Sequence, residues 1–349
     1  MLWCEPFGHT GVENLLDRSL PRMLDSYIFF HDQEPVNSIV YDELFSLAKL
    51  RGRDLTGGKI YGGPPVDLDR IPGIMVTSEL GQAVNEVCQH YGWTPSYYFY
   101  HGWAALDWYR GYNRSFQLMP PEARSPTKTF MCPNRIIGGE RRHRALLLYW
   151  FEKLGLMHNH VSAPTVCPET GEDIVLIANK YRDVLPDIID VVCRMSLPKF
   201  FQGEDTNVMS SCWLGNWPEV HDSLLYVVTE TVFSGRRLHL TEKTFKPIAL
   251  GMPFVMLSTA GSLDYLRSYG FRSFNGIWSE AYDCEDNDLE RIHQVAQLLR
   301  DLDTLTQAEK KHLWQHCLPI IKHNWTWFYH GGFEQRLWQE LTSMVESWR

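Results

Sequence analysis

Short apolar runs alternate with segments of helical spacing along the whole chain. The runs that we predict as strands are "SYIFF", "GIMVTSE", "SYYFYHGW", "TFMC", "DIVLIANK", "SLLYVVTET" and "PFVMLST". Two segments repeat their apolar residues every three or four positions and are predicted as helices, "LGQAVNEVCQHYG" and the amphipathic "RALLLYWFEKLGL". Buried strands that alternate with helices predict parallel α/β sheets, with "SLLYVVTET" and "PFVMLST" covered on both faces.

A Pro-rich polar stretch, "LMPPEARSPTK", divides this pattern into two parts. We therefore predict an N-terminal α/β domain at 1–125 and a C-terminal α/β domain at 126–325. The aromatic tail at 326–349 is predicted as a helix that packs back on the domains. Two α/β domains joined by one linker create a cleft, and clefts of this kind are where α/β proteins bind ligands.

Composition and charge limit the partners and the compartment that we expect for this protein. The 349 residues carry a formal net charge of −9, whereas a protein that holds nucleic acid mainly through phosphates is usually basic. A DNA substrate would need a local basic groove. The eight cysteines form no C-x-x-C pair, no apolar run is long enough to span a membrane, and the first residues lack a signal peptide. We expect a cytoplasmic protein without a metal site or a membrane partner; its oligomeric state is left open.

One loop combines glycines and arginines between a predicted strand and a predicted helix. In "PNRIIGGERRHR" the basic residues are Arg135, Arg141, Arg142 and Arg144. A glycine-containing turn that opens a helix offers backbone N–H groups and the positive end of the helix dipole to an anion. Arginines add contacts to phosphate oxygens. The alternative is a solvated basic helix start, and no G-x-G-x-x-G or P-loop motif is present.

A second segment places a cation where a helix dipole disfavours one. In "LTEKTFKPIALGMPFVML", Thr241 is a natural N-cap, and Glu242 and Lys243 follow in the first turn. Glu242 suits the dipole, but Lys243 is unfavourable unless an anion lies nearby. A bound diphosphate would supply that anion, and Glu242 could accept hydrogen bonds from ribose hydroxyls. Glu230 ends a predicted central strand, where ligands of open α/β sheets bind.

These stretches resemble a known family. "TEKTFKPIALGMPFVML" resembles the donor-binding motif of fucosyltransferase-like glycosyltransferases with the GT-B fold, and "PNRIIGGERRHRALLLYWFEKL" is similar to the segment that precedes it there. The combination of "HDQEP", "TET" and these two stretches also resembles glycosyltransferase-like proteins encoded by bacteriophages. The resemblance covers roughly a third of the chain and leaves the N-terminal half without a match.

The resemblance implies two Rossmann-like domains facing a cleft and a metal-independent transfer of sugar from a nucleotide-sugar such as a UDP- or GDP-sugar. It implies that Glu242 contacts the ribose, Lys243 the diphosphate, and Glu230 the sugar or ribose. Phosphate oxygens would be held by Asn134 and Arg144. The whole predicted donor site comprises Asn134, Arg135, Arg144, Glu230, Thr241, Glu242 and Lys243.

The catalytic base of an inverting transfer would come from the N-terminal domain, because the acceptor hydroxyl lies on that side of a GT-B cleft. The polar end of the strand in "FFHDQEPV" supplies the candidates. Asp32 is the first choice and Glu34 the second, with His31 also available. A turn held by side-chain hydrogen bonds is the alternative role for these residues.

Three functions stay open at this stage. The first is a glycosyltransferase acting on a 5-hydroxymethylpyrimidine in phage DNA, in the cytoplasm of an infected host, with the aromatic segment "WTPSYYFYHGWAALDWYRGY" available to stack on an unstacked base. The second is a glycosyltransferase acting on a glycan or a small molecule. The third is a nucleotide-binding module without catalysis. The sugar, the nucleotide and the stereochemical course are not determined by the sequence.

Overall fold

A computed structural model describes the backbone of residues 2–4, 27–31, 58–60 and 73–112, and then residues 124, 126–201, 214 and 218–347. The chain divides into two compact units. Unit 1 comprises Met1–Ala104, Arg237–His239 and Glu334–Arg349, and unit 2 comprises Ala105–Arg236 and Leu240–Phe333. The domain boundaries given above stay predictions.

The strands of the described residues fall into three sheets. In chain order they are β1 (Leu2–Cys4), β2 (Tyr27–His31), β3 (Gly58–Ile60), β4 (Gly73–Thr77), β5 (Leu80–Gly81), β6 (Trp93–Tyr97), β7 (Lys128–Pro133), β8 (His160–Ser162), β9 (Ser223–Thr229), β10 (Arg237–Leu238) and β11 (Phe254–Leu257). Unit 1 contains a sheet of order β3-β1-β2-β4-β6, in which only β3 is antiparallel to its neighbour, and the antiparallel pair β10-β5. Unit 2 contains the parallel sheet β11-β9-β7-β8.

Helices connect and cover these strands. In chain order they are α1 (Gln82–Tyr91), α2 (Tyr100–Leu106), α3 (His143–Lys153), α4 (Ile174–Asn179), α5 (Ile188–Val192), α6 (Pro218–Asp222), α7 (Glu242–Ala249), α8 (Ser262–Ser268), α9 (Asp288–Asp303), α10 (Gln307–Tyr329) and α11 (Gly332–Ser347). Helix α9 packs on β7, β11 and α3, whereas α7 packs on β9 and α10. The predicted α/β class is confirmed.

The parallel sheet of unit 2 is buried as its sequence predicts. Every residue of β9 and of β11 is buried, which explains why both strands are nearly continuous apolar runs. The Thr241 side chain caps α7 by accepting a hydrogen bond from the Lys243 backbone N–H. The helix ends in the turn at Gly251, whose φ of +63° suits a residue without a side chain. The N-cap at Thr241 was predicted and is confirmed.

Two predicted strands are wrong. In "SYYFYHGW" the strand β6 ends at Tyr97, and Tyr100 begins α2, because an apolar aromatic run suits a buried helix as well as a strand. "DIVLIANK" forms helix α4, since the Asp173 carboxylate caps it by accepting a hydrogen bond from the Val175 backbone N–H at 2.7 Å. A side-chain cap of this kind decides a short apolar segment in favour of helix.

Helix α3 is present as predicted, but it is not amphipathic, contrary to the prediction from the sequence. All residues from His143 to Tyr149 are buried, together with Phe151, so the helix is enclosed on most of its faces. Two of the buried residues are His143 and Arg144, which need polar partners inside unit 2.

Among the described residues, none of the helices combines the length and the apolar character required to cross a membrane. Within the same residues, His, Cys, Asp and Glu side chains form no group of three or more that could hold a metal ion.

Candidate functional site

A buried glutamate joins the end of strand β9 to the start of helix α7. Glu230 follows β9 directly and is fully buried. Its Oε1 accepts hydrogen bonds from the Thr241 backbone N–H at 3.1 Å and from the Thr244 hydroxyl at 2.5 Å. Its Oε2 accepts from the Thr241 hydroxyl at 2.6 Å and from the Thr231 backbone N–H at 3.3 Å. The carboxylate therefore fixes the first turn of α7 at the carboxyl end of a central strand.

The first turn of α7 presents a lysine that is only partly enclosed. The Lys243 side chain keeps 27% of its exposure, and its Nζ donates to the Glu242 carboxylate at 2.8 Å and to the Thr241 hydroxyl at 3.3 Å. Glu242 is buried, and its backbone carbonyl accepts a hydrogen bond from the Tyr109 hydroxyl. An acid and a cation thus stand side by side at the positive end of the helix, at the sheet edge where ligands of α/β proteins bind.

Arg144 lies inside the unit and binds main-chain oxygens. It is 3% exposed, and its guanidinium donates to the carbonyl of Ile136 at 3.0 Å and to the carbonyl of Thr229 at 2.7 Å. The loop that follows β7 and the end of β9 are therefore held together by one side chain. A role in holding phosphate oxygens stays a prediction, and the observed contacts give Arg144 a positioning role.

His143 contacts the same strand end. Its Nε2 lies 3.0 Å from the Glu230 carbonyl oxygen, and its ring stacks on Phe233 with centroids 4.5 Å apart. Burial, followed by the charge of Arg144, holds the pKa of His143 well below its usual range. The ring is neutral, and Nε2 carries the proton because a carbonyl oxygen can only accept.

Asn134 joins the carboxyl ends of three strands. Its backbone N–H donates to the Ser162 carbonyl at the end of β8, and its Oδ1 accepts from the Thr229 hydroxyl at 2.8 Å. The side-chain amide also contacts the Cys132 sulfur. At 1% exposure Asn134 belongs to the interior of the sheet edge rather than to its surface.

The half-buried arginines of the loop at residues 134–144, here called the arginine loop, pair with acids of a second loop. Arg135 and Arg141 each lie 3.1 Å from the Glu169 carboxylate. Arg142 lies 3.0 Å from Glu172, which also binds Lys180 and accepts a hydrogen bond from the Gly139 backbone N–H. The second loop, residues 167–172, is called the acidic loop below.

The contacts of Glu172 lower its pKa to about 2, through the Lys180 ammonium first, then the Gly139 N–H and the Arg142 guanidinium. The carboxylate is therefore ionised at neutral pH and neutralises the cations around it. The acidic partners of these three arginines follow about thirty residues later in the chain, and a role of this loop in holding phosphate stays a prediction.

Gly138 allows the two loops to approach this closely. A Cβ atom at this position would lie 2.4 Å from the Thr170 hydroxyl oxygen, 2.8 Å from the Glu172 carboxylate and 3.1 Å from the Cys167 Cβ. A side chain at this position would force the Thr170 and Glu172 side chains to shift. Gly138 thus packs against the acidic loop.

The structure brings most predicted donor-site residues to one edge of the parallel sheet of unit 2. Asn134, Arg144, Glu230 and Thr241 form a connected network through the ends of β7 and β9, and Glu242 and Lys243 continue it. Arg135 is turned toward the acidic loop.

The predicted catalytic residues Asp32 and Glu34 lie outside the described residues, and His31 is described only as the last residue of strand β2. Four further residues of the network were missed, namely His143, Glu169, Glu172 and Thr244. Thr244, three residues after the N-cap, was the one that helix geometry could have revealed.

The chain matches no protein-family model, no curated protein and no solved structure. The class that the described geometry supports is an α/β protein with a polar, helix-capped site at the carboxyl edge of a parallel sheet.

Proposed function

We propose that the protein is a metal-independent glycosyltransferase of the GT-B type that uses a nucleotide-sugar donor. One observation carries the proposal. Glu230 fixes the Thr-capped start of α7 at the carboxyl end of β9, and the partly exposed Lys243 stands there beside the positive end of the helix. A diphosphate on this edge would meet both the ammonium group and the helix dipole.

The roles of the residues follow from their exposure. Lys243 binds the diphosphate, and the Glu242 carboxylate beside it accepts hydrogen bonds from the ribose. Glu230, Arg144 and Asn134 are buried and keep this edge rigid, which matters because a stabilising charge must be in place before the leaving diphosphate develops its own. As the base that takes the proton of the acceptor hydroxyl we propose Asp32, ahead of Glu34.

The acceptor that we propose is the hydroxymethyl group of a 5-hydroxymethylpyrimidine in DNA. Its oxygen attacks the anomeric carbon of the sugar, the bond from that carbon to the diphosphate oxygen breaks, and the hydroxyl proton passes to the base. A glycan or small-molecule hydroxyl would undergo the same transfer from the same donor site. The assay below separates these acceptors.

The test uses the purified full-length protein with a panel of UDP-, GDP- and CMP-sugars. We expect hydrolysis of one donor and transfer of its sugar to hydroxymethylated DNA but not to unmodified DNA of the same sequence. Transfer to a glycan alone would replace the acceptor and keep the donor site. Donor binding without turnover, unaffected by Asp32→Ala, would indicate a nucleotide-binding module instead.

Lys243→Ala tests the donor site itself. We expect the donor dissociation constant to rise roughly tenfold to a hundredfold, because a charge-assisted hydrogen bond is lost. The exposed Lys322 on α10 gives a matched control, Lys322→Ala, which removes the same side chain elsewhere in unit 2. Unchanged donor affinity in Lys243→Ala would contradict the proposal.

A further inference from the structure

A small cavity lies at the other edge of the unit 2 sheet, beside the start of helix α10. Its volume is about 270 Å³, and it is lined by Arg124, Pro126, Gln307, Ala308, Lys311 and Trp314. Cavities that hold drug-sized ligands usually measure roughly 300–1,000 Å³, so this one suits a smaller molecule.

Arg124 is the buried cation of this cavity. Its side chain is 6% exposed, and its Nη2 donates to the Leu250 carbonyl, at the end of α7, at 2.6 Å. Its guanidinium also lies over the Trp314 ring, 5.9 Å from the centroid. The remaining nitrogens, Nε and Nη1, are buried and have no hydrogen-bond partner in the part of the chain that the structure describes.

The bond to Leu250 does not by itself account for Arg124. Capping the end of α7 uses one of five N–H groups, and leaving buried charged donors without hydrogen bonds is unfavourable. Burial lowers the pKa of Arg124 to about 10, so the side chain remains charged at neutral pH. Its charge acts on the surroundings as well, because burial and then Arg124 lower the pKa of His221.

The rest of the lining adds positive character. Gln307, Ala308, Lys311 and Trp314 occupy one face of the first two turns of α10, close to the positive end of its dipole. No acidic side chain is among the described residues that line the cavity. The acid of this first turn, Glu309, is engaged in the cap, where its carboxylate accepts hydrogen bonds from the backbone N–H and hydroxyl of Thr306.

We propose that this cavity binds a small oxyanion, a phosphate or a carboxylate group, between Arg124 and Lys311. The oxyanion accepts the hydrogen bonds that Arg124 Nε and Nη1 lack, and Lys311 balances its charge from the exposed side. The Trp314 ring lies beside the guanidinium and lines the same cavity. The site is separate from the proposed donor site, since Arg124 contacts the last turn of α7 whereas Lys243 lies in the first.

Calorimetric titration of the full-length protein tests this site, with sodium phosphate and sodium acetate as separate probes at constant ionic strength. We expect saturable binding of at least one probe, and the stronger of the two identifies the chemistry of the ligand. In Lys311→Gln, whose side chain is exposed and whose loss leaves the fold intact, affinity should fall roughly tenfold. Arg124→Lys, which keeps the charge but not the geometry, should weaken binding further.

Two control variants locate the binding. Arg182→Gln removes an exposed charge from a turn that does not line the cavity and should leave affinity unchanged. Lys243→Ala should also leave it unchanged, because that residue belongs to the proposed donor site. No binding of either anion, or binding lost in Lys243→Ala but retained in Lys311→Gln, would overturn the proposal, and the titration with nucleotide-sugars tests the donor site independently.

Discussion

The arginine loop and the start of α7 were both predicted to hold a diphosphate, yet their cations are used differently. In the loop, Arg135, Arg141 and Arg142 pair with acids, and Arg144 is enclosed among carbonyl groups. At the start of α7, the partners of Lys243 among the described residues are its neighbours Glu242 and Thr241, and the side chain stays partly exposed. The number of cations in a segment therefore does not measure the charge that it offers to a ligand.

The largest effect on stability is expected at Glu230, the residue that connects the arginine loop to the start of α7. Glu230→Ala removes the acceptor of four hydrogen bonds in a fully buried place, which should lower the free energy of unfolding by about 3–5 kcal/mol. Chemical denaturation measures this loss in the free energy of unfolding. Glu140→Ala, at an exposed glutamate of the arginine loop, should change stability by no more than about 0.5 kcal/mol. Similar losses in both variants would contradict the connecting role of Glu230.

Arg144→Lys distinguishes positioning from ligand binding. A lysine cannot reach the Ile136 and Thr229 carbonyls in the same geometry, so we expect a loss of about 2 kcal/mol in stability. Donor affinity, measured where the variant is folded, should stay close to that of the wild type. Arg182→Lys is the exposed control. A large loss of donor affinity with normal stability would assign Arg144 to the ligand, as the family resemblance implies.

Glu172→Gln should destabilise the protein by about 1 kcal/mol at pH 7, after allowance for solvent screening at a side chain that is 19% exposed. The direction in which this stability contribution changes with pH follows from the lowered pKa of Glu172. The contribution of the carboxylate is complete above its usual pKa of 4.5 and disappears as the pH falls toward about 2. Denaturation curves of both proteins should therefore converge on acidification. A difference that grows toward low pH would contradict this assignment.

The smallest expected effect concerns the anion affinity of the arginine loop. Glu169→Gln combined with Glu172→Gln removes the carboxylates that pair with Arg135, Arg141 and Arg142. Pyrophosphate affinity should then rise by roughly threefold to tenfold, as exposed charge pairs are worth little individually. Calorimetry with pyrophosphate measures the change. Unchanged affinity would mean that the loop is not an anion site even when its acids are removed.

The sequence predicted those parts of the fold that depend on local pattern. Strands β9 and β11 appear as continuous apolar runs, and Thr241 followed by an acid indicates a capped helix. Local pattern failed for α4, where one capping carboxylate converts a strand-like run into a helix.

The partners within the site were less accessible to prediction. Thr241 lies 11 residues from Glu230, and Glu169 lies 34 residues from Arg135. Such pairs depend on how strands are ordered in the sheet, and one sequence does not contain that order. The burial of each side chain could not be predicted from the sequence either. Arg144 and Lys243 are both basic residues near a helix start, but they differ in burial.

The close approach at Gly138 has a consequence for how this surface can evolve. A side chain at this position would force the Thr170 and Glu172 side chains to shift, and Glu172 is the counter-charge of Arg142 and Lys180. An uncharged residue thus helps to keep two cations of this surface neutralised. A substitution at Gly138 would alter the electrostatics of the surface without adding or removing a charge from the chain.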